Sequence, residues 1–197
     1  RHTRSLCDWS SDVCSSDLFT LMPLHQRKLA TLDNLLALRS DWRSEGKVVV
    51  STNGCFDLLH AGHVWSMESA RRLGDVLVVG INGDESVRQL KGPGRPIVPV
   101  AQRVAVLAAL ECVDDIFVFD DDSPERALNH LKPDIHCKGG DYGETGGKPI
   151  PETKIVESHG GRVRILPLSN SISTSELVRR ILEQRTTLLD RSGDGEG

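Results

Sequence analysis

The sequence predicts an α/β fold, a single Rossmann-like doubly wound parallel sheet, and three observations carry that expectation. Apolar, β-branched runs such as Val48-Val49-Val50 and residues 75–81 (DVLVVGI) alternate with segments of helical period. Continuous rather than alternating apolar strands belong to sheets buried on both faces, which in practice means parallel strands joined by crossover helices. The third observation is the glycine turn after the first of these runs, followed directly by a helix start. An unpaired helix N-terminus at the end of a strand is the usual way such a fold receives a phosphate.

Composition bounds the rest. The chain has 197 residues and a formal net charge of -4, enough for one domain with a proper core. Mixed charge points away from a nucleic-acid surface or an anionic membrane as partner, and no apolar run reaches spanning length. Cys55, Cys112 and Cys137 stand singly, which suits a reducing, cytoplasmic location better than a disulfide framework. Residues 1–18 lack any period; CDWSSDVCSSDL reads as the translation of a sequencing-library adapter, and Cys7, Trp9 and Cys14 are set aside with it. A start at Met22 is one expectation that follows.

In order, residues 28–43 carry leucines at helical spacing, with Thr31 or Asp33 as cap and Gly46 as stop. Residues 48–63, VVVSTNGCFDLLHAGH, form the centre of the chain. After the strand, Asn53-Gly54 reads as a turn, then a loop carries Asp57, His60 and His63 into a helix over 62–73. His60 and His63 are three residues apart and so share one face of a forming turn. Two imidazole donors beside free amides suit the oxygens of a polyphosphate. Helix capping or metal binding is the alternative reading of such a pair.

A second strand over 75–81 ends at Asn82-Gly83-Asp84, on the edge where open sheets place ligands. Asp84 reads equally as a substrate or metal contact and as a turn former. The loop 91–99 (KGPGRPIVP) has the cations and glycines of an anion-binding lid, or of an ordinary solvated loop. Helix 100–111 begins near Arg103, a cation opposed to the helix dipole and therefore in need of a partner such as phosphate. Strand 113–119 leads to a solvated acidic turn, then a helix starting at Ser123-Pro124-Glu125. Strand 134–137 runs into Lys138-Gly139-Gly140-Asp141-Tyr142, again lysine and glycine at a strand's carboxyl end. A helix over 152–158, a strand over 162–166 and a last helix from Ser173-Thr174-Ser175-Glu176 complete the domain, placed at residues 28–185. That last start has the form of a capping box, yet its three hydroxyls also suit a second phosphate. Residues 186–197 are expected to be a disordered tail.

GCFDLLHAGH resembles the GxFDxxHxGH signature of nucleotidyltransferases that share a fold with class I aminoacyl-tRNA synthetases. Together with NxDxSV at 82–87, LKGPGRPIVP, QRVxVLAALExVD at 102–114 and KGGDY, in that order, the chain resembles the adenylyltransferase domain of bacterial ADP-heptose synthases. The resemblance implies adenylyl transfer from ATP to a sugar 1-phosphate, D-glycero-β-D-manno-heptose 1-phosphate in that family, with release of pyrophosphate. A cytidylyltransferase acting on an alcohol phosphate shares the His and Ser-Thr elements but not KGGDY, and a nucleotide-binding module without turnover is a further alternative.

Carried over motif by motif, the resemblance makes His60, His63 and Lys91 the catalytic residues. Asn53, Gly54, Cys55, Phe56, Asp57, Arg103, Lys138, Ser173, Thr174 and Ser175 join the two histidines around the nucleotide. Asp84, Lys91, Gly139 and Asp141 fall to the acceptor. Mg²⁺ is implied as counter-ion of ATP, with no protein metal site. ATP and a sugar phosphate are the implied partners, with a second copy of the chain and a separate sugar kinase as further candidates. The family's Gly-x-Ser-Thr-Thr before the last helix is Ser171-Ile172-Ser173-Thr174-Ser175 here, and no sugar-kinase domain precedes, so the chain reads as a stand-alone partner of a kinase or as a fragment.

Overall fold

The structure, a computed structural model, describes residues 23–121, 123–139, 150–167 and 173–193. A short helix α1 (Leu24–Arg27) leads to α2 (Leu32–Ser44), β1 (Val49–Gly54), α3 (Ala61–Arg71), β2 (Val76–Asn82), α4 (Asp84–Lys91) and α5 (Val100–Ala108). Then come β3 (Asp115–Phe119), α6 (Glu125–Leu131), β4 (Ile135–Gly139), α7 (Thr153–Ser158), β5 (Arg162–Leu166) and α8 (Thr174–Gly193). The five strands form one sheet in the order β3-β2-β1-β4-β5, every neighbouring pair parallel. The doubly wound expectation is met.

Both faces of the sheet are covered, which is why its strands are apolar throughout. Val50, Leu77, Val79, Ile135 and Cys137 pack with Met67 and Ala70 of α3 and Val104 and Leu107 of α5. Val49, Val76, Val78 and Phe117 face Leu35 and Trp42 of α2 and Ala127 and Leu131 of α6. All seven residues of β2 are buried, as befits a strand with a neighbour on either side.

The order of strands fixes where a ligand belongs. The chain leaves β1 toward β2 and β3, whereas β4 and β5 lie on the other side of β1. The connections diverge between β1 and β4, and their carboxyl ends open the crevice of an open α/β sheet.

Several boundaries differ from the sequence reading for physical reasons. The first long helix starts at Leu32 rather than 28, its N-cap Thr31 accepting from the Asn34 amide at 3.2 Å. Residues 28–30 instead extend the sheet edge: the Ile116 amide donates to the Lys28 carbonyl and the Ala30 amide to the Ile116 carbonyl. Asn53 and Gly54 are the last residues of β1, not a turn. Residues 84–91, unassigned from sequence, form α4, with Asp84 and Glu85 in the first turn and Arg88 and Lys91 in the last. The tail expected from 186 is helical as far as Gly193, continuing the helix formers of α8 until glycine intervenes. The adapter-like segment, Met22, Asp141 and residues 194–197 lie outside the described residues.

Candidate active site

The signature loop leaves β1 at the crevice and turns sharply. Phe56 holds φ at +45°, in the left-handed region that side chains disfavour, and its ring folds back over Gly54. A Cβ at Gly54 would stand 3.1 Å from that ring, so glycine there makes room for Phe56. Strain of this kind persists where surrounding contacts hold it, commonly at functional sites. Phe56 in turn meets the His63 ring edge-on, centroids 5.5 Å apart.

His60 is the N-cap of α3. Its Nδ1 accepts from the Gly62 amide at 3.2 Å. A neutral imidazole that accepts through Nδ1 carries its proton on Nε2, so the same contact that caps the helix fixes a donor on the far side of the ring. Capping and ligand binding are therefore compatible rather than alternatives. The His60 and His63 rings stack at 3.9 Å between centroids. Burial lowers the His60 pKa, and burial, with a smaller contribution from His60, lowers that of His63 to about 4. At neutral pH the pair therefore offers N–H dipoles rather than imidazolium charges.

The Asp57 carboxylate is engaged by the neighbouring loop. Its Oδ1 accepts from the amides of Ile97 and Val98 at 2.8 and 2.9 Å, and its Oδ2 lies 3.2 Å from Arg95 Nε. The carboxylate straps the 92–99 loop across the signature. Arg103 is likewise turned inward, and the expected phosphate contact is replaced by a hub. Its side chain has no exposed surface; it donates to the carbonyls of Val98, Cys55 and Asn82 at 2.9, 2.6 and 2.8 Å and to Asp84 at 2.7 Å. Opposed to its helix dipole, the cation found its partners in loop carbonyls and one carboxylate. Asp84 also accepts from the Val100 amide at 2.9 Å, which makes it a strut between α4 and α5.

Lys91 ends α4 with an exposed side chain, and its charge reaches the Cys55 thiol, whose pKa burial raises and Lys91 pulls back down. Across the crevice, Lys138 Nζ donates to Asn53 Oδ1 at 2.7 Å and to Glu152 Oε1 at 2.5 Å. Gly139 is the last residue of β4. Ser173 Oγ accepts from the Glu176 amide at 3.2 Å, so the cap is real. Glu176 is drawn to Arg179 and Arg180 instead of back toward Ser173. Thr174 Oγ1 donates to the Leu58 carbonyl at 3.4 Å, which sets the start of α8, with Ser173 and Ser175, beside the signature loop.

The structure thus gathers Phe56, His60, His63 and Thr174 around one loop, and Asn53 with Lys138 at the adjoining strand ends. Three contributors escaped the sequence reading: Arg95, Asn82 and Glu152. Arg95 was visible only as one cation of a loop, while Asn82 and Glu152 act through partners far along the chain.

The chain is similar to known proteins along most of its length. The family model described as cytidylyltransferase-like matches residues 51–180. "Bifunctional protein HldE" of Alcanivorax borkumensis is 51% identical over 150 residues, 76% of this chain and 31% of that protein. The protein of the same name from Trichlorobacter lovleyi is 41% identical over 181 residues, 90% of this chain and 36% of its own length. The chain spans about a third of the length of these curated relatives. The lipopolysaccharide core biosynthesis protein of Thermoplasma volcanium superposes with a TM-score of 0.52 at 27% identity, over 64% of this chain and all of that one.

Proposed function

Since the chain belongs to the cytidylyltransferase-like family, we propose that it is an adenylyltransferase that joins ATP and D-glycero-β-D-manno-heptose 1-phosphate to give ADP-heptose and pyrophosphate. The observation that carries this reading is the capped histidine pair: His60 Nδ1 is committed to the Gly62 amide, which leaves an Nε2 donor at a helix N-terminus beside the carboxyl end of β1. The five family motifs in order, and the likeness to the lipopolysaccharide core biosynthesis protein of Thermoplasma volcanium, favour a heptose phosphate as acceptor.

The chemistry follows from what the site holds. A phosphate oxygen of the sugar 1-phosphate, ionised at neutral pH, attacks the α-phosphorus of ATP. The new P–O bond forms as the bond to the bridging oxygen breaks, and pyrophosphate leaves with the electron pair. No protein nucleophile is needed, so catalysis is alignment and stabilisation of charge, the former supplying roughly 7–11 kcal/mol in favourable cases. His60 and His63 donate to the oxygens on which charge grows, and exposed Lys91 adds a cation on the strapped-loop side. Ser173 and Thr174 close the far end of the triphosphate.

Asp57 and Asp84 hold backbone amides and arginines, and in this reading Mg²⁺ comes with the nucleotide as part of the substrate. A kinase must first phosphorylate the sugar, and ATP places the reaction in the cytoplasm. Pyrophosphate release with a panel of sugar 1-phosphates and each nucleoside triphosphate tests the reading. ATP with the heptose 1-phosphate should give the highest kcat/KM; equal or better turnover with CTP and glycerol 3-phosphate would replace it with the cytidylyltransferase reading.

A further inference from the structure

The crevice has a second polar group, on the sheet face opposite α3. Asn53 and Lys138 are penultimate in the adjacent strands β1 and β4, and Glu152 reaches them from the N-cap of α7. The Lys138 and Glu152 side chains are 7% and 6% exposed, and one carboxylate oxygen, Oε1, meets the ammonium at 2.5 Å. The other, Oε2, is buried and has no hydrogen-bond partner among the described residues. A buried acceptor left unmet is costly, and native proteins rarely carry one without a use.

What Oε2 lacks is defined by its surroundings. The Lys138 ammonium already offsets the carboxylate's charge, so a further cation is not required. A phosphate would face a carboxylate and be repelled. The complement is a neutral donor, and at the edge of a site for a nucleotide and a sugar phosphate the abundant neutral donor is a hydroxyl. Resting on the function proposed above, we propose that Glu152 Oε2 accepts a hydrogen bond from a sugar hydroxyl of bound substrate, which makes Glu152 a specificity-determining residue. The hydroxyl belongs to the ribose of the nucleotide or to the acceptor sugar, and the experiment separates the two.

Calorimetric titration of the full chain would compare ATP with 2′-deoxy-ATP and 3′-deoxy-ATP, and hexose 1-phosphates with analogues lacking one hydroxyl at a time. One deletion should weaken binding about tenfold or more, the scale of a hydrogen bond to a charged group, and the series it falls in names the sugar. In Glu152→Gln that ratio should shrink to about threefold or less. Should Glu152→Gln not fold, Glu152→Asp keeps the charge beside Lys138 but shortens the reach, and should shrink the ratio in the same way. Deoxy analogues that all bind the wild type as well as their parents overturn the inference without any variant. A hydroxyl dependence undiminished in the variant does so too. Failure of both ATP and the sugar phosphates to bind would instead overturn the proposed function, and the inference with it.

Discussion

At the scale of the residue, the proposed mechanism leans most on His63. Its Nδ1 is buried and without a hydrogen-bond partner among the described residues, and its ring is wedged between Phe56 and His60. If its donor serves the transition state, His63→Ala lowers kcat and kcat/KM together by about 10²–10³ while KM for ATP hardly moves. His63→Asn retains an N–H donor and should recover part of the loss. The same burial has a signature in stability. The folded-state pKa of about 4 lies below the ordinary 6.5, so the unfolded chain takes up the proton first. The stabilisation from neutral His63 is complete above 6.5 and is lost as pH falls toward 4. His136 in β4, fully buried with Nδ1 2.7 Å from Ser51 Oγ, is pushed down to about 3 by burial and then by Lys138, and adds in the same direction. Urea unfolding of His63→Asn across pH 7 to 4 should therefore show a shallower acid slope than wild type, by up to about 1.4 kcal/mol per pH unit where one proton is removed from the balance.

At the scale of the element, Arg103 decides how loops and helices meet. One guanidinium ties the signature loop at Cys55, the end of β2 at Asn82, the strapped loop at Val98 and the start of α4 at Asp84. Arg103→Met would leave three carbonyls and a carboxylate without their donor, and should destabilise the fold by about 3–5 kcal/mol in a denaturant titration. A variant of normal stability with raised KM for ATP would instead return Arg103 to phosphate binding. The sequence disclosed that this arginine needs a partner, because a cation in a first helical turn opposes the dipole; it did not disclose which, since the partners lie up to 48 residues away. The alternation of strands and helices was legible because each strand is apolar on both faces, and Thr31, Gly46 and Ser173 announced helix ends through local chemistry. Helix α4 was missed because its eight residues are polar on most sides, although the acids of its first turn and cations of its last marked it. Asp57 looked like a ligand group from its place in the signature. The partners its carboxylate has in the fold, the amides of Ile97 and Val98, are set by tertiary folding that no local pattern records.

At the scale of the whole molecule, the two halves of the sheet bring different groups to one edge. The β1-β2-β3 half supplies the signature loop and the Asp57 strap; the β4-β5 half supplies Lys138 and Glu152. Beyond β5 in the chain, the Thr174 hydroxyl of α8 donates to the Leu58 carbonyl of the signature loop, 116 residues earlier. That contact is long at 3.4 Å, so its worth to the fold is small, and in the proposed function the hydroxyl exchanges the carbonyl for a phosphate oxygen. Thr174→Val keeps the branched shape and removes only the hydroxyl, which separates the two roles. With the cap at Ser173 intact, thermal unfolding should shift by less than the roughly 0.5–2 kcal/mol that a lost cap costs. Binding of ATP should nevertheless weaken about tenfold, the scale of one charge-assisted hydrogen bond. Ser173→Ala should do the reverse in part, lowering stability through the Glu176 amide as well as affinity. Unchanged ATP affinity in Thr174→Val would confine this end of α8 to holding the fold closed, and would leave the triphosphate to the histidine pair and Lys91 alone.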